Sequence, residues 1–234
     1  MHIELNNITV GTRKKSILEI YTLSISRNQF AAIIGPNGAG KTTLLKLICS
    51  LQKPDSGTIQ INGSKKIGYV PQRADYNSSL PFTVSEIAVM GRAATKPIFT
   101  QIKKEDYEIA DSWLNALGLG DKINQTFRSL SGGEQQKTLI ASAMAAQPEI
   151  LLLDEPTANL DFMWKKELVD ILDFVHSQNP ITALMVSHEI NLLPKSCDRI
   201  ILLDKGKIIA DQKPENLSFD DIVKKYKPES LTPN

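Results

Sequence analysis

The sequence has few cysteines, little net charge and no long hydrophobic run. Its two cysteines, Cys49 and Cys197, are too few for a disulfide framework. The 27 lysines and arginines balance 26 aspartates and glutamates, so bulk positive charge gives no support to a nucleic-acid binder. No segment approaches the ~20 apolar residues that a membrane-spanning helix needs. These absences leave a water-soluble globular protein, in which we expect Cys49, within an apolar run, to be a buried free thiol.

The first residues predict where the protein works. They lack the basic and then apolar character of a signal peptide. We therefore expect the protein to be made and kept in the cytoplasm, with any membrane connection supplied by a partner. The histidines His2 and His176 match no motif and are predicted to lie on the surface.

Hydrophobic patterning predicts an α/β fold. Runs that are apolar at consecutive positions are typical of strands buried on both faces of a parallel sheet. Strands are predicted at 3–10, 30–34, 67–70, 150–153, 183–186 and 200–203, and helices at 84–94, 104–117 and 132–146. Gly118 and Gly120 are stop signals for the second helix. The order predicts a parallel-sheet core interrupted by a helical insertion, and the proline-containing tail 227–234 is expected to fray.

A glycine-rich segment between a predicted strand and an apolar helix matches the pattern G-x-x-x-x-G-K-[ST]. Its residues are Gly35, Pro36, Asn37, Gly38, Ala39, Gly40, Lys41 and Thr42, with Thr43 next in the helix. Glycines let backbone N–H groups surround a phosphate, and the following helix adds the positive end of its dipole. The pattern predicts ATP with Mg²⁺, with Lys41 on the β- and γ-phosphates and Thr42 on the metal. The alternative is a glycine-rich turn beside a surface lysine.

Two acids end the predicted strand 150–153. An apolar strand would bring Asp154 to the carboxyl edge of the sheet, beside the glycine-rich loop, where it can hold Mg²⁺. Adjacent residues of a strand point to opposite sides, so Glu155 is free for a different task, the activation of an attacking water. The alternative is a pair of acids that merely solvates the end of a strand.

The segment 130–136 reads Leu-Ser-Gly-Gly-Glu-Gln-Gln. Ser131 is a good helix N-cap, and Glu134 completes a capping box. Two consecutive glycines, Gly132 and Gly133, weaken a first helical turn unless the backbone must approach something closely. A helix N-terminus with bare amides is a suitable site for a γ-phosphate.

This segment resembles the LSGGQ-type signature of ATP-binding-cassette (ABC) ATPases, with Glu134 in the last place. The resemblance covers most of the chain. It implies a Q-loop glutamine at Gln72 that senses Mg²⁺ and the γ-phosphate, a Walker B aspartate at Asp154 and a catalytic glutamate at Glu155. It also implies a D-loop at 158–161, ending in Asp161, and a switch histidine at His188 that contacts the γ-phosphate.

The resemblance also implies a fold: a P-loop NTPase (RecA-like) core with an N-terminal antiparallel β lobe and an inserted α-helical subdomain. Residues 1–76 and 147–226 would form the nucleotide-binding core, and residues 77–146 would form the helical subdomain. In this family two cassettes pack head to tail, so Ser131 and Gly133 would contact ATP held by Lys41 of a second copy. A homodimer with two composite sites is therefore expected.

One position departs from the family pattern. In the family an aromatic residue that precedes the glycine-rich loop usually stacks on adenine. In this sequence that position falls on Thr12. The guanidinium of Arg13 offers one replacement. The alternative is a loosely held base that allows other nucleotides.

Two kinds of ABC protein fit these motifs. One is the energy subunit of a membrane transporter, and the other is a soluble ATPase that assembles or remodels complexes, as in iron–sulfur cluster assembly. The segments 81–87 and 90–92 are similar to the start of the helical lobe in importer subunits for iron chelates, haem, cobalamin and metal ions. The resemblance therefore implies an importer subunit, bound to integral-membrane permease subunits on the inner face of the membrane. An extracytoplasmic substrate-binding protein would be an indirect partner, and an exporter subunit is a further alternative.

Overall fold

The described residues form two β-sheets and five α-helices. A computed structural model describes residues 1–12, 15–64, 66–72, 81–97 and 99–216. The strands are β1 (Ile3–Thr12), β2 (Lys15–Ile25), β3 (Phe30–Ile34), β4 (Ser56–Ile61), β5 (Ile67–Val70), β6 (Ile150–Asp154), β7 (Thr182–Ser187), β8 (Arg199–Asp204) and β9 (Lys207–Gln212). The helices are α1 (Lys41–Ile48), α2 (Val84–Ala94), α3 (Lys104–Ala116), α4 (Gly132–Ala145) and α5 (Phe162–Gln178).

The first sheet is antiparallel, in the order β2-β1-β4. Along β1 the side chains of Ile3, Leu5 and Ile8 are fully buried, whereas Asn6 is exposed. This face packs into one hydrophobic cluster with α1 and with one face of the second sheet. The N-terminal antiparallel lobe expected from the family resemblance is thereby confirmed.

The second sheet has the order β5-β6-β7-β3-β8-β9. It is parallel from β5 through β8, and β9 returns as an antiparallel edge strand. Every residue of β3, β6 and β7 is buried, which explains their uninterrupted hydrophobic sequences. Because parallel strands end at the same edge, the residues after β3, β6 and β7 meet there.

Helices α2, α3 and α4 follow β5 in the chain and precede β6. Thr83 and Glu86 form a capping box at the start of α2. A Cβ placed on Gly91 would lie 1.7 Å from the carbonyl oxygen of Ser142, so α2 crosses α4 at close backbone approach. The division into a core and a helical subdomain 77–146 remains a prediction, since 73–80 and the tail 227–234 lie outside the described residues.

Three predicted side-chain environments differ from the structure. His2 is 1% exposed and its Nδ1 lies 2.7 Å from Thr182 Oγ1, because β1 places it over the neighbouring sheet. His176 is half-buried, with its ring 5.2 Å from that of Phe30. Cys49 is half-buried, since it follows the last turn of α1. Among the described residues no helix is both long and apolar enough to span a bilayer.

Candidate active site

The loop between β3 and α1 holds its shape through glycines. A Cβ on Gly35 would lie 1.9 Å from the carbonyl oxygen of Leu203, so only glycine allows β8 to approach this closely. Gly40 has φ 101° and begins α1 in the left-handed region without a side-chain cap. Gly38, with φ 77°, has no atom near the position of a Cβ. The loop is therefore packed on its β8 side and open at its tip.

The turn between β8 and β9 supports this loop. The amide of Gly206 donates to the carbonyl oxygen of Ala39 at 3.0 Å, and its own carbonyl oxygen accepts from the amide of Glu19 at 2.7 Å. Lys205 and Gly206 both have positive φ, as a two-residue hairpin turn of type I′ requires. The sequence reasoning missed this contact. The Lys-Gly pair between two apolar runs predicts the hairpin, but it does not predict the contact of the hairpin with the loop between β3 and α1.

Lys41 is directed back into its own loop. Its Nζ donates to the carbonyl oxygens of Gly35 at 2.8 Å and Pro36 at 3.0 Å, and its side chain is 5% exposed. Glu155 Oε1 lies 4.0 Å away. Burial lowers the pKa of Lys41, and the nearby carboxylates of Glu155 and Asp154 oppose that shift. A buried ammonium group that faces carbonyl and carboxylate oxygens is suited to an anionic ligand.

Asp154 ends β6 with no exposed surface. Its Oδ1 accepts from Thr42 Oγ1 at 3.0 Å and its Oδ2 accepts from the Tyr69 hydroxyl at 3.3 Å. Burial raises the pKa of this carboxyl group, against the lowering effect of those two hydrogen bonds. Tyr69, in β5, was not predicted as a site residue. It lies on the strand that pairs with β6, a neighbour that no local sequence pattern indicates.

Glu155 follows in a left-handed conformation, with φ 47°. Gln72 Nε2 donates to its Oε2 at 3.3 Å, and His188 Nδ1 lies 3.6 Å from the same oxygen. The amide of Glu155 donates to the carbonyl oxygen of Val186 at 3.1 Å, which fixes the turn against β7. Gln72 and His188, predicted from two distant motifs, therefore meet at the carboxylate of Glu155.

These residues border an open cavity of about 370 Å³. It is lined by Ile17, Asn37, Gly38, Gly40, Lys41, Thr42, Thr43, Gln72 and Glu155. The lining combines backbone amides, an ammonium group and side-chain oxygens, a donor set that fits a polyphosphate. The oxygens of Thr42 and Asp154 also fit Mg²⁺, which prefers oxygen ligands.

Other predicted residues lie away from this cavity. Ser131 caps α4: the Glu134 amide donates to its Oγ at 3.4 Å, and its own amide donates to Glu134 Oε2 at 2.9 Å. This confirms the predicted capping box. Asp161 caps α5 by accepting from the amide of Trp164 at 3.0 Å. Neither Ser131 nor Asp161 lines the cavity of its own chain. The side chain of Thr12 and all of Arg13 fall outside the described residues, so the prediction about adenine stays a prediction.

Comparison with known proteins identifies the arrangement. The family described as ABC transporter matches residues 18–158, a stretch that begins in β2 and includes the loop, the α4 N-terminus and the acids after β6. The chain belongs to the ABC transporter family. It is an ATP-binding subunit of that family, whose ATP hydrolysis is coupled to transport.

Similar sequences and structures extend over nearly the whole of this ABC subunit. A metal transport system ATP-binding protein of Thermotoga maritima is 37% identical and covers 87% of this chain and 81% of the relative. The zinc uptake system ATP-binding protein ZurA of Listeria innocua is 34% identical, and the match covers 89% of this chain and 84% of the relative.

Solved structures agree with the sequence relatives. A structure described as an inward-facing metal-chelate type ABC transporter has a chain with TM-score 0.84 and 27% identity, covering 95% of this chain and 87% of that chain. A dimeric ATP-binding cassette in a post-hydrolysis state with ADP and Pi has TM-score 0.77 and 27% identity. The match covers 92% of this chain and 100% of that chain. The predicted fold, a P-loop NTPase core with a β lobe and inserted helices, is confirmed by these matches.

Proposed function

We propose that this ABC subunit powers the import of a metal ion or metal chelate. The observation that carries the proposal is the similarity to metal and zinc uptake subunits, at 37% and 34% identity over more than four fifths of both chains. The metal-chelate type transporter among the structural neighbours supports the same class. No feature of the described residues favours a complex-assembling ATPase or an exporter.

In this proposal the cavity after β3 holds the phosphates of ATP. Lys41 exchanges its bonds to the carbonyl oxygens of Gly35 and Pro36 for the β- and γ-phosphate oxygens. The amides of residues 37–43 surround the same groups, and the dipole of α1 favours their negative charge. The buried surroundings of Lys41 strengthen each of these interactions, since they exclude water.

Mg²⁺ would be held by Thr42, Asp154 and Gln72. When bound, the ion neutralises charge on the phosphates. Two observations support this assignment: the Thr42 hydroxyl already lies 3.0 Å from Asp154 Oδ1, and Tyr69 holds the other carboxylate oxygen. Tyr69 therefore orients Asp154 from outside the cavity, as outer hydrogen-bond partners orient metal ligands in general.

Glu155 would act as the general base. Its Oε2 faces Gln72 and His188, and its Oε1 lies 4.0 Å from Lys41 Nζ, so the carboxylate is oriented from two sides. It would accept a proton from the attacking water, while His188 contacts the γ-phosphate. The left-handed backbone of Glu155 supports a functional role, because strained residues persist where the surroundings select them.

A second copy of the chain would complete each site. Ser131, Gly132 and Gly133 at the start of α4, with Asp161 at the start of α5, would contact the nucleotide held by the other copy. Their absence from their own chain's cavity and the dimeric cassette among the structural neighbours support this arrangement. ATP would hold the dimer closed, and hydrolysis would let it open.

The dimer would act beneath integral-membrane permease subunits. We place the protein in the cytoplasm, peripheral on the inner face of the membrane, with an extracytoplasmic binding protein supplying substrate to the permease. The permease and that binding protein would select the metal.

Deleting the gene tests the proposal. Deletion should slow growth in chelator-treated medium and reduce uptake of at least one of zinc, manganese, iron or an iron chelate, and the intact chain should restore uptake. The Glu155→Gln chain should bind ATP, form a stable dimer and fail to restore uptake. Unchanged uptake of every metal in the deletion strain would refute the substrate class, and normal ATP turnover by Glu155→Gln would refute the role of Glu155.

A further inference from the structure

The ring of Trp164, in the first turn of α5, lies directly over Gly133 in the first turn of α4. A Cβ on Gly133 would lie 2.4 Å from Cε3 and 2.5 Å from Cδ2 of the indole. No side chain larger than hydrogen fits there without displacing the ring. The second glycine of the signature segment is thus required by a contact within its own chain, whatever it also does towards a nucleotide.

Trp164 also contacts Asp161. Its backbone amide donates to Asp161 Oδ1 at 3.0 Å and thereby closes the first turn of α5. A single residue therefore joins Gly133 through its ring and Asp161 through its amide. In the chain these two residues are separated by α4, β6 and the segment that follows it.

Lys137 fixes the position of the ring. Its Nζ lies 5.2 Å from the centroid of the indole, within the range of a cation–π interaction. The same Nζ donates to Glu167 Oε1 at 2.5 Å, one turn further along α5. The side chain of Lys137 is 9% exposed, so water screens this ion pair weakly on the lysine side. The first two turns of α4 and α5 are held together by three contacts: the ring on Gly133, the cation on the ring and the ion pair.

We propose that Trp164 is a positioning residue, which holds the α4 N-terminus and Asp161 as one unit so that both reach the second copy's nucleotide in register. The proposal rests on the proposed composite site. Two groups that contact one ligand from separate elements lose binding free energy if they move independently, because each must be oriented anew. A fixed indole between them removes that freedom before the dimer closes.

The test uses the full-length chain with Glu155→Gln as the parent, because that variant should accumulate the closed dimer. Trp164→Ala removes the ring, and Trp164→Phe keeps an aromatic ring over Gly133. Trp113→Phe, a tryptophan packed against the hydrophobic core in α3, is the matched control. Dimer formation is followed by analytical ultracentrifugation against MgATP concentration. Thermal unfolding and binding of a fluorescent ATP analogue by the monomer are measured on the same samples.

Trp164→Ala should raise the MgATP concentration for half-maximal dimerisation at least tenfold, with monomer affinity for the analogue changed less than twofold. Trp164→Phe should recover most of the loss, and Trp113→Phe should match the parent. In the chain with Glu155 intact, Trp164→Ala should make specific ATPase activity depend more steeply on protein concentration, which a loss of folded protein alone does not do.

Three outcomes separate the hypotheses. Equal dimerisation of parent and Trp164→Ala overturns the positioning role. Parallel losses of dimerisation, analogue binding and thermal stability also overturn it, since they indicate packing alone; Trp164→Phe decides the matter if Trp164→Ala does not fold. A parent that does not dimerise with MgATP refutes the composite site itself, which is the proposed function and not the role of Trp164.

Discussion

Asp154 is placed where its charge is unfavourable for folding. Burial raises its pKa, so the folded chain holds the proton more tightly than the unfolded chain does. Ionisation of Asp154 therefore lowers the free energy of unfolding. This loss is absent below the ordinary carboxyl pKa, grows as the pH rises towards the raised pKa, and is complete above it. A charge kept in such surroundings is consistent with a role in binding a cation.

Asp154→Asn should therefore raise the melting temperature at pH 7 while lowering Mg²⁺-dependent ATP hydrolysis by roughly 100-fold or more. The amide keeps an oxygen that can accept from Thr42. Calorimetry at several pH values checks the first part: the stability gap between variant and parent should narrow as the medium becomes acidic. A variant less stable than the parent at pH 7 would contradict this account.

Glu134 occupies the last place of the signature segment, where the family pattern has glutamine. Its Oε2 accepts from the Ser131 amide and its Oε1 pairs with Lys122. The bond from Lys122 lowers the pKa of Glu134, so the acid is ionised beside the N-terminus that we propose to meet a phosphate. Lys122 offsets a negative charge that would otherwise repel that phosphate.

Lys122→Met should weaken MgATP-driven dimerisation about threefold, a small effect because water screens a partly exposed charge pair. Glu134→Gln in the same chain should restore it, since the repelling charge is then gone. Sedimentation of the two variants in the Glu155→Gln background measures both effects. If the double substitution were weaker than Lys122→Met alone, charge compensation would not be the role of Lys122.

Local sequence motifs made some of the individual site residues predictable. Lys41, Thr42 and Ser131 sit within short patterns whose spacing carries the chemistry. Tyr69 and Trp164 do not, because each acts on a residue that only the fold brings near. Tyr69 is 85 positions from Asp154 in the chain. The burial of His2 was missed for the same reason, since Thr182 lies 180 positions away.

Among elements, strands with continuous apolar sequences were predicted well. The predicted 30–34 coincides with β3, because a strand buried on both faces needs apolar residues throughout. The predicted 67–70 coincides with β5, in which half-buried Ile67 and Tyr69 alternate with buried Gly68 and Val70. The individual bounds of β2, β4, β9 and α5 were not predicted. The side chains of β4 and β9 are exposed or half-buried, so these strands lack an apolar run. In β2 and α5 exposed apolar residues such as Tyr21 and Phe162 obscure the periodicity of the buried positions.

The crossing of α2 and α4 yields a prediction about packing. Gly91→Ala adds a Cβ 1.7 Å from the carbonyl oxygen of Ser142, so the helices must separate. We expect a loss of about 1–3 kcal/mol in unfolding free energy, the range for overpacked cores. Denaturant titration measures it. Ala94→Val, which adds volume at the exposed end of the same helix, is the control and should change stability little. Equal stability of the two variants would mean that the helices adjust freely.

At the scale of the whole molecule, the catalytic unit is predicted to be a pair of chains. Ser131→Arg should abolish MgATP-driven dimerisation of the Glu155→Gln chain and lower hydrolysis at least ~100-fold, since a bulky cation replaces the small cap that we propose meets the other copy's phosphate. Binding of a fluorescent ATP analogue to the monomer should persist. Ser177→Arg, near the exposed C-terminal end of α5, serves as control. Dimers of Ser131→Arg at parental MgATP concentrations would contradict the composite site.

The overall architecture was predictable because the motifs of the family occur in a fixed order along one fold. The proposed metal substrate could not be predicted from the site itself. In our proposal no residue of the described cavity contacts a transported substrate. The residues of the subunit instead bind ATP, a second copy of the chain and a permease. The metal class comes from the relatives and not from the lining of the site.

The pairing of β3 sets an order of events during synthesis. Phe30 pairs with Ala183, and Ala31 pairs with Arg199, so both neighbours of this strand are made long after it. At about 5–20 residues per second, the ribosome needs roughly 10–30 s to reach them. Over that interval the nascent chain has the glycine-rich loop between β3 and α1, but it lacks the flanking strands β7 and β8 and the turn at Gly206. Nucleotide binding should therefore begin late in translation, and ribosome-bound chains stalled before residue 183 should not retain an ATP analogue.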